Sequence, residues 1–153
     1  MSPRRVFVQR IPLALALLLL PGAASFAQSD PSASLRVVLK GHDPVAYFIE
    51  GRPMKGSPEF KFDWDGGRYL FSNAGNRDKF AANPERYAPQ FGGYCTGSMS
   101  KGVRAEADPE AWIISDGRLY VFGAVKFRDI ATKDPAWLAG TVVAANQNWH
   151  AKK

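Results

Sequence analysis

The chain has one cysteine, Cys95, and it lies in the glycine-rich stretch Gly92-Gly93-Tyr94-Cys95-Thr96-Gly97-Ser98-Met99, four residues ahead of a methionine. A thiolate and a thioether are soft donors that suit Cu(I) and other thiophilic ions. His42 offers a borderline imidazole, so Cys95, Met99 and His42 form a candidate metal set, for which Cu(I) is favoured over the oxygen-seeking Ca²⁺ and Mg²⁺. A closed zinc site takes four ligands, a number this chain reaches only by adding carboxylates such as Asp43. Two other readings of Cys95 stand beside this one: a small, inert core hydrophobe, or a reactive or intermolecularly paired thiol. The plain reading of His42 is a loop imidazole without a ligand, and that of His150 an exposed residue near the end of the chain.

Cys95 with His42 is the only thiol nucleophile and base that the composition permits, and the pair works only if their two loops meet. No serine-hydrolase elbow, phosphate-cradling loop or dinucleotide fingerprint is present, since Gly92, Gly93 and Gly97 have the wrong spacing. Glu106 and Asp108 sit among alanine and proline and read as solvated caps, not as an acid–base dyad. The sequence therefore predicts a binding protein, not an enzyme, with no catalytic and no organic-cofactor residues assigned.

Residues 1–27 read as an export signal. Arg4, Arg5 and Arg10 make a positive n-region, Ile11 to Leu20 an apolar run, and Ser25-Phe26-Ala27 a small-x-small cleavage site. The run is shorter than the roughly 20 residues a spanning helix needs, so no permanent membrane anchor is expected after cleavage. Arg4-Arg5 is compatible with twin-arginine export as well as with the general secretory route, and both lead to the periplasm. Three of the 20 basic residues lie in that leader and all 14 acidic ones follow it, leaving 17 against 14, a net charge of +3. Without a basic run this is a poor footprint for nucleic acid. A single cysteine also excludes an internal disulfide.

The elements that must position these side chains are legible in outline. Residues 28–34 form a polar lead-in, and 35–150 one domain's worth of chain. Leu35 to Leu39 is a candidate strand, and Asp43-Pro44 starts a helical turn to Tyr47, with Asp as cap and Pro at the first helical position. Phe60, Phe62 and Trp64 alternate with Lys61 and Asp63 as a strand, Asp65-Gly66-Gly67 turns the chain, and Arg68 to Phe71 returns it. A central helix is predicted from about Asn73 to Ala82, one further turn over Pro84–Tyr87, then an irregular loop from Ala88 to Gly102. A second hairpin pairs Ala111–Ile114 with Leu119–Phe122, and Pro135 to about Asn148 reads as a terminal helix. No internal repeat is apparent.

The ordered blocks Gly41-His42-Asp43-Pro44-Val45-Ala46-Tyr47-Phe48, Tyr69-Leu70-Phe71-Ser72-Asn73, Asn76-Arg77-Asp78-Lys79-Phe80, Asn83-Pro84-Glu85-Arg86-Tyr87 and Gly92-Gly93-Tyr94-Cys95 resemble the YHS domain family, in particular its small exported bacterial proteins. The resemblance covers roughly 40–122 and implies a small α+β domain with two β-hairpins, a central helix and a C-terminal helix. Metal-handling members place cysteines after the Asp-Pro-Val block and in a Phe-Cys-Ser-x-x-x-Cys-like segment. Here Ala46, Ser72 and Asn76 occupy those places, so that ligand set does not carry over. The implied function is a periplasmic accessory protein that binds or senses a soft metal through Cys95, Met99 and His42, partnered by a metal donor or acceptor. The alternative is a metal-free module for a protein or small ligand, in which Cys95 is core and Phe91 and Tyr94 form the contact surface.

Overall fold

The alternation of aromatic and charged residues after Pro58 builds a hairpin of β2 (Ser57–Trp64) and β3 (Gly67–Phe71). Its turn, Asp65-Gly66, has φ of 43° and 74°, the positive pair that a tight hairpin of this hand requires. In this computed structural model residues 35–151 are described, so the leader and lead-in expected over 1–34 lie outside the described residues. A two-residue strand β1 (Arg36–Val37) runs parallel to β3, giving a sheet of order β1-β3-β2. β1 is shorter than expected because Val38–Gly41 tightens into a 3-10 turn in which Leu39 and Lys40 take φ of 53° and 50°. Helix α1 (Pro44–Ile49) follows the Asp43 cap. After the hairpin come α2 (Ala74–Ala82), capped by Asn73, and the single turn α3 (Pro84–Tyr87), capped by Asn83.

The segment read as an irregular loop is more ordered than its glycines suggest. It holds a 3-10 turn (Gln90–Gly93) and the short helix α4 (Thr96–Met99). The second hairpin is β4 (Asp108–Ser115) with β5 (Arg118–Phe122), and it is followed by α5 (Val125–Lys133) and α6 (Pro135–His150). Helix α5 was not anticipated, because its cap position is Ala124, which has no side-chain acceptor to announce a helix start. The α+β class and the two hairpins agree with expectation. Among the described residues no helix is long and apolar enough to cross a membrane.

No internal repeat is apparent in the sequence, yet the fold contains one. Each half runs through a 3-10 turn with two left-handed residues and a glycine (Leu39-Lys40-Gly41; Phe91-Gly92-Gly93), a buried cap and a short helix. An isolated bridge (His42 to Lys55; Tyr94 to Glu106), a hairpin and two helices follow. From the hairpin onward the second half is the first displaced by 51 positions, as Ser57 to Asp108 and Phe71 to Phe122 show. The register is the same, including one irregularity that falls between Ser57 and Lys61 in β2 and between Asp108 and Trp112 in β4. Turn residues Asp116-Gly117 repeat the positive φ of Asp65-Gly66, at 49° and 70°. The neighbouring ion pairs Arg77–Asp78 and Arg128–Asp129 recur at the same place in α2 and α5.

The core follows this division in part. One cluster gathers Val45, Tyr47, Tyr69, Phe71 and Phe80 of the first half with Cys95, Leu119 and Val121 of the second. The other gathers Phe91, Met99, Tyr120, Phe122, Leu138 and Ala145, closed by Trp137 and Trp149 of α6. Burial of these apolar side chains is the main force holding the halves together.

Candidate functional site

The two buried caps are equivalent points of the two halves. In the first, Asp43 is fully buried. Its Oδ1 accepts from the N–H of Val45 (2.9 Å) and Ala46 (3.3 Å), capping α1. Its Oδ2 accepts from Ser72 N–H (2.9 Å), Ser72 Oγ (2.8 Å) and Asn76 Nδ2 (2.7 Å), which fastens α1 to the end of β3 and to α2. A buried carboxylate is tolerated only with such a full set of donors.

In the second half the cap is Cys95. Its Sγ accepts the N–H of Gly123 at 3.1 Å, and Gly123 stands 51 positions after Ser72, so the same backbone donor serves carboxylate and thiol alike. The side-chain donors are missing, because Gly123 replaces Ser72 and Phe127 replaces Asn76. Where the first half is knit shut, the second has a cleft of about 270 Å³ lined by Cys95, Gly97, Ser98, Lys101, Phe127 and Trp137. Cys95 is only 5 % exposed and forms part of the cleft wall. Beside it, Thr96 is fully buried and its Oγ1 has no hydrogen-bond partner, a cost of about 1–3 kcal/mol located next to the thiol.

The expected ligands are not gathered there. Met99 donates its N–H to Cys95 O at 2.9 Å, so α4 holds the two at helical spacing, but its thioether is fully buried in the other core cluster and does not line the cleft. His42 belongs to the first half, where its Nδ1–H donates to Leu39 O at 3.0 Å, and it does not line the cleft either. Its counterpart beside Cys95 is Tyr94. Among the described residues no three His, Cys, Asp or Glu side chains lie close enough to hold a metal ion. The cleft offers one soft donor, serine hydroxyls and a lysine ammonium, a set that does not fit a resident soft metal.

Three tyrosines and one aspartate carry shifted ionisation. Burial raises the Tyr47 hydroxyl well above its ordinary range, with Glu110, Asp108 and Asp43 adding to the effect, and the hydroxyl donates to Pro109 O at 3.1 Å. Burial likewise raises Tyr69, with Asp65 adding and Arg36 opposing, and it raises Tyr120. The Arg68 guanidinium, hydrogen-bonded to Asp63 at 2.8 and 2.9 Å, lowers that carboxyl.

A family model for the YHS domain matches residues 45–91, nearly all of the first half and the start of the second tight turn. No curated protein and no solved structure matches the chain. The places where the resemblance puts metal-ligating cysteines converge in space: Ala46, Ser72 and Asn76 all donate to Asp43. A hydrogen-bonded carboxylate stands there. Asp65-Gly66 with Asp116-Gly117, Arg77-Asp78 with Arg128-Asp129, and Pro84 with Pro135 mark the repeat at a spacing of 51, but Asp43 and Cys95 are 52 apart, so their equivalence is visible only in the fold.

Proposed function

We propose that this is an exported, periplasmic YHS-type binding protein whose working group is the Cys95 thiol, acting stoichiometrically on a thiol-reactive partner at the cleft between α4, α5 and α6. The observation that carries the reading is the replacement of the two side-chain donors at the second cap, which leaves a sulfur with one backbone N–H aimed at it and a cleft in front of it. The Gly123 N–H donates to the sulfur, and Lys101 lines the same cleft. In exchange with a disulfide, the Cys95 thiolate attacks one sulfur, a new S–S bond forms as the old one breaks, and the departing thiolate takes up a proton. An oxidising compartment would preserve such a mixed disulfide. Among the described residues lining the cleft there is no histidine or carboxylate, which favours a carrier or acceptor over a turnover catalyst.

The test is native-state alkylation by iodoacetamide and exchange with a chromogenic aromatic disulfide, run with Cys95→Ser and Lys101→Ala. Labelling of the folded protein, slowed in Lys101→Ala and absent in Cys95→Ser, is the expected result. Labelling only after denaturation makes Cys95 core and overturns the reading. An anaerobic Cu(I) competition titration runs alongside; stoichiometric binding lost in Cys95→Ser would put metal handling in place of thiol exchange.

A further inference from the structure

The groove between the two halves is a second site, remote in role from the thiol. From the first half it takes Arg36, the turn Asp65-Gly66-Gly67 and Tyr69; from the second it takes Gly92, Tyr94 and Arg104; and Trp149 of α6 closes it. Its volume is about 290 Å³. An adjoining lobe of about 320 Å³ shares Asp65, Tyr69, Gly92 and Trp149 and extends to Trp64, Glu85 and Arg118. Each lobe is near the lower bound of the roughly 300–1,000 Å³ usual for small-ligand sites, and a junction between structural units is a common place for one.

Its walls are built in advance of any ligand. Arg36 pairs with Glu106 through two hydrogen bonds, donates to Gly92 O at 2.8 Å and lies 3.9 Å over the Tyr94 ring. Arg104 lies 5.1 Å over the Trp149 ring. Gly92, at φ 60°, lets Trp149 rest against the chain, where a Cβ would stand 3.2 Å from the ring. A preformed wall spares the ordering cost of binding.

The chemistry of the lining narrows the occupant. Guanidiniums and carboxylates both line the groove, Arg36, Arg104 and Arg118 together with Asp65 and Glu85, and Glu106 holds Arg36. A strongly charged ligand would meet its own sign on one wall or the other, and a purely apolar one would strip water from these groups without replacing it. A neutral ring bearing many hydroxyls satisfies both conditions, since hydroxyls donate to carboxylates and accept from guanidiniums. The flat apolar faces of such a ring match Trp64 and Trp149. We infer that the groove between the halves binds a neutral saccharide, the ring lying against Trp149 and its hydroxyls bridging the arginines and acids of the lining.

The test is titration of the protein with glucose, maltotriose, cellotriose and triacetylchitotriose, with citrate as the anionic control, followed by tryptophan fluorescence and by amide and indole NMR shifts. The expected result is saturable binding of a neutral sugar, with shifts at Gly66, Gly92 and the Trp149 indole N–H. Trp149→Leu should weaken it about tenfold, the loss of one ring contact. Glu85→Gln, at an exposed rim position, should weaken it while leaving the fold intact, and Cys95→Ser should leave it unchanged. Silence of all four sugars at about 10 mM, shifts elsewhere on the surface, or a response to citrate alone would overturn the inference.

Discussion

Asp43→Asn should destabilise this protein by more than half as much as Asp43→Ala, although asparagine and aspartate cap surface helices about equally well. In the alanine variant the buried N–H groups of Val45 and Ser72 and the amide of Asn76 lose their acceptor. At about 1–3 kcal/mol for each orphaned donor, the loss is roughly 4–6 kcal/mol, a large part of the about 5–15 kcal/mol that holds a domain of this size. Asparagine keeps one acceptor oxygen but turns an NH₂ toward donors on one side or the other, whichever way its amide is set, so about 2–4 kcal/mol should still be lost. Asp134 supplies the control, since it caps α6 at the equivalent of Asn83 and accepts only from Trp137 N–H (2.9 Å) on the surface. Asp134→Asn should stay within about 0.5 kcal/mol of wild type. Urea unfolding followed by circular dichroism, with the slope checked for constancy, measures all three. An Asp43→Asn protein as stable as Asp134→Asn would refute the view that this carboxylate fastens β3 and α2 to α1.

Gly56→Ala should cost more than about 2 kcal/mol, because its Cβ would stand 2.5 Å from the Leu70 carbonyl carbon, a main-chain atom that cannot turn aside. Gly140→Ala, inside α6 with nothing within 4 Å, should instead raise stability by about 0.5–1 kcal/mol, and thermal melts of the pair distinguish them. Tyr47, Tyr69 and Tyr120 are raised by burial, so their contribution is whole below the unfolded tyrosine value of about 10 and declines as pH rises above it. Absorbance titration at alkaline pH should show these hydroxyls lagging, with stability falling in step; a single ordinary titration of all five tyrosines in the folded protein would contradict this. Asp63 is lowered by Arg68, so its contribution is present above the ordinary carboxylate value of about 3.9 and disappears as pH falls through the lower folded value. Asp63→Asn should therefore cost about 0.2–1 kcal/mol at pH 7 and converge with wild type in acid, as denaturant melts at both pH values would reveal.

The hairpins were legible because Phe60, Phe62 and Trp64 alternate with charged residues and Asp-Gly turns allow positive φ. Helices α1 and α2 were legible through Asp43-Pro44 and Asn73. Helix α5 was not, for want of a capping side chain at Ala124. Cys95 stood out in the sequence as the lone thiol, but four residues of spacing could not reveal that Met99 turns into the other cluster, nor that Cys95 takes its hydrogen bond from Gly123. Of the groove between the halves, the sequence pointed only to Phe91 and Tyr94, whereas Arg36 and Trp149 reach its lining from opposite ends of the described chain.

The twofold plan of the chain has a consequence for what it can become. Two copies of one latch sit in a single polypeptide, and a lesion in one need not unfasten the other. Asp43 is the tightly tied version, and the Cys95 copy, held by one backbone N–H, can change its chemistry without undoing those ties. Division of labour between like parts is usually seen between separate proteins; here the tied copy and the untied copy lie in one chain.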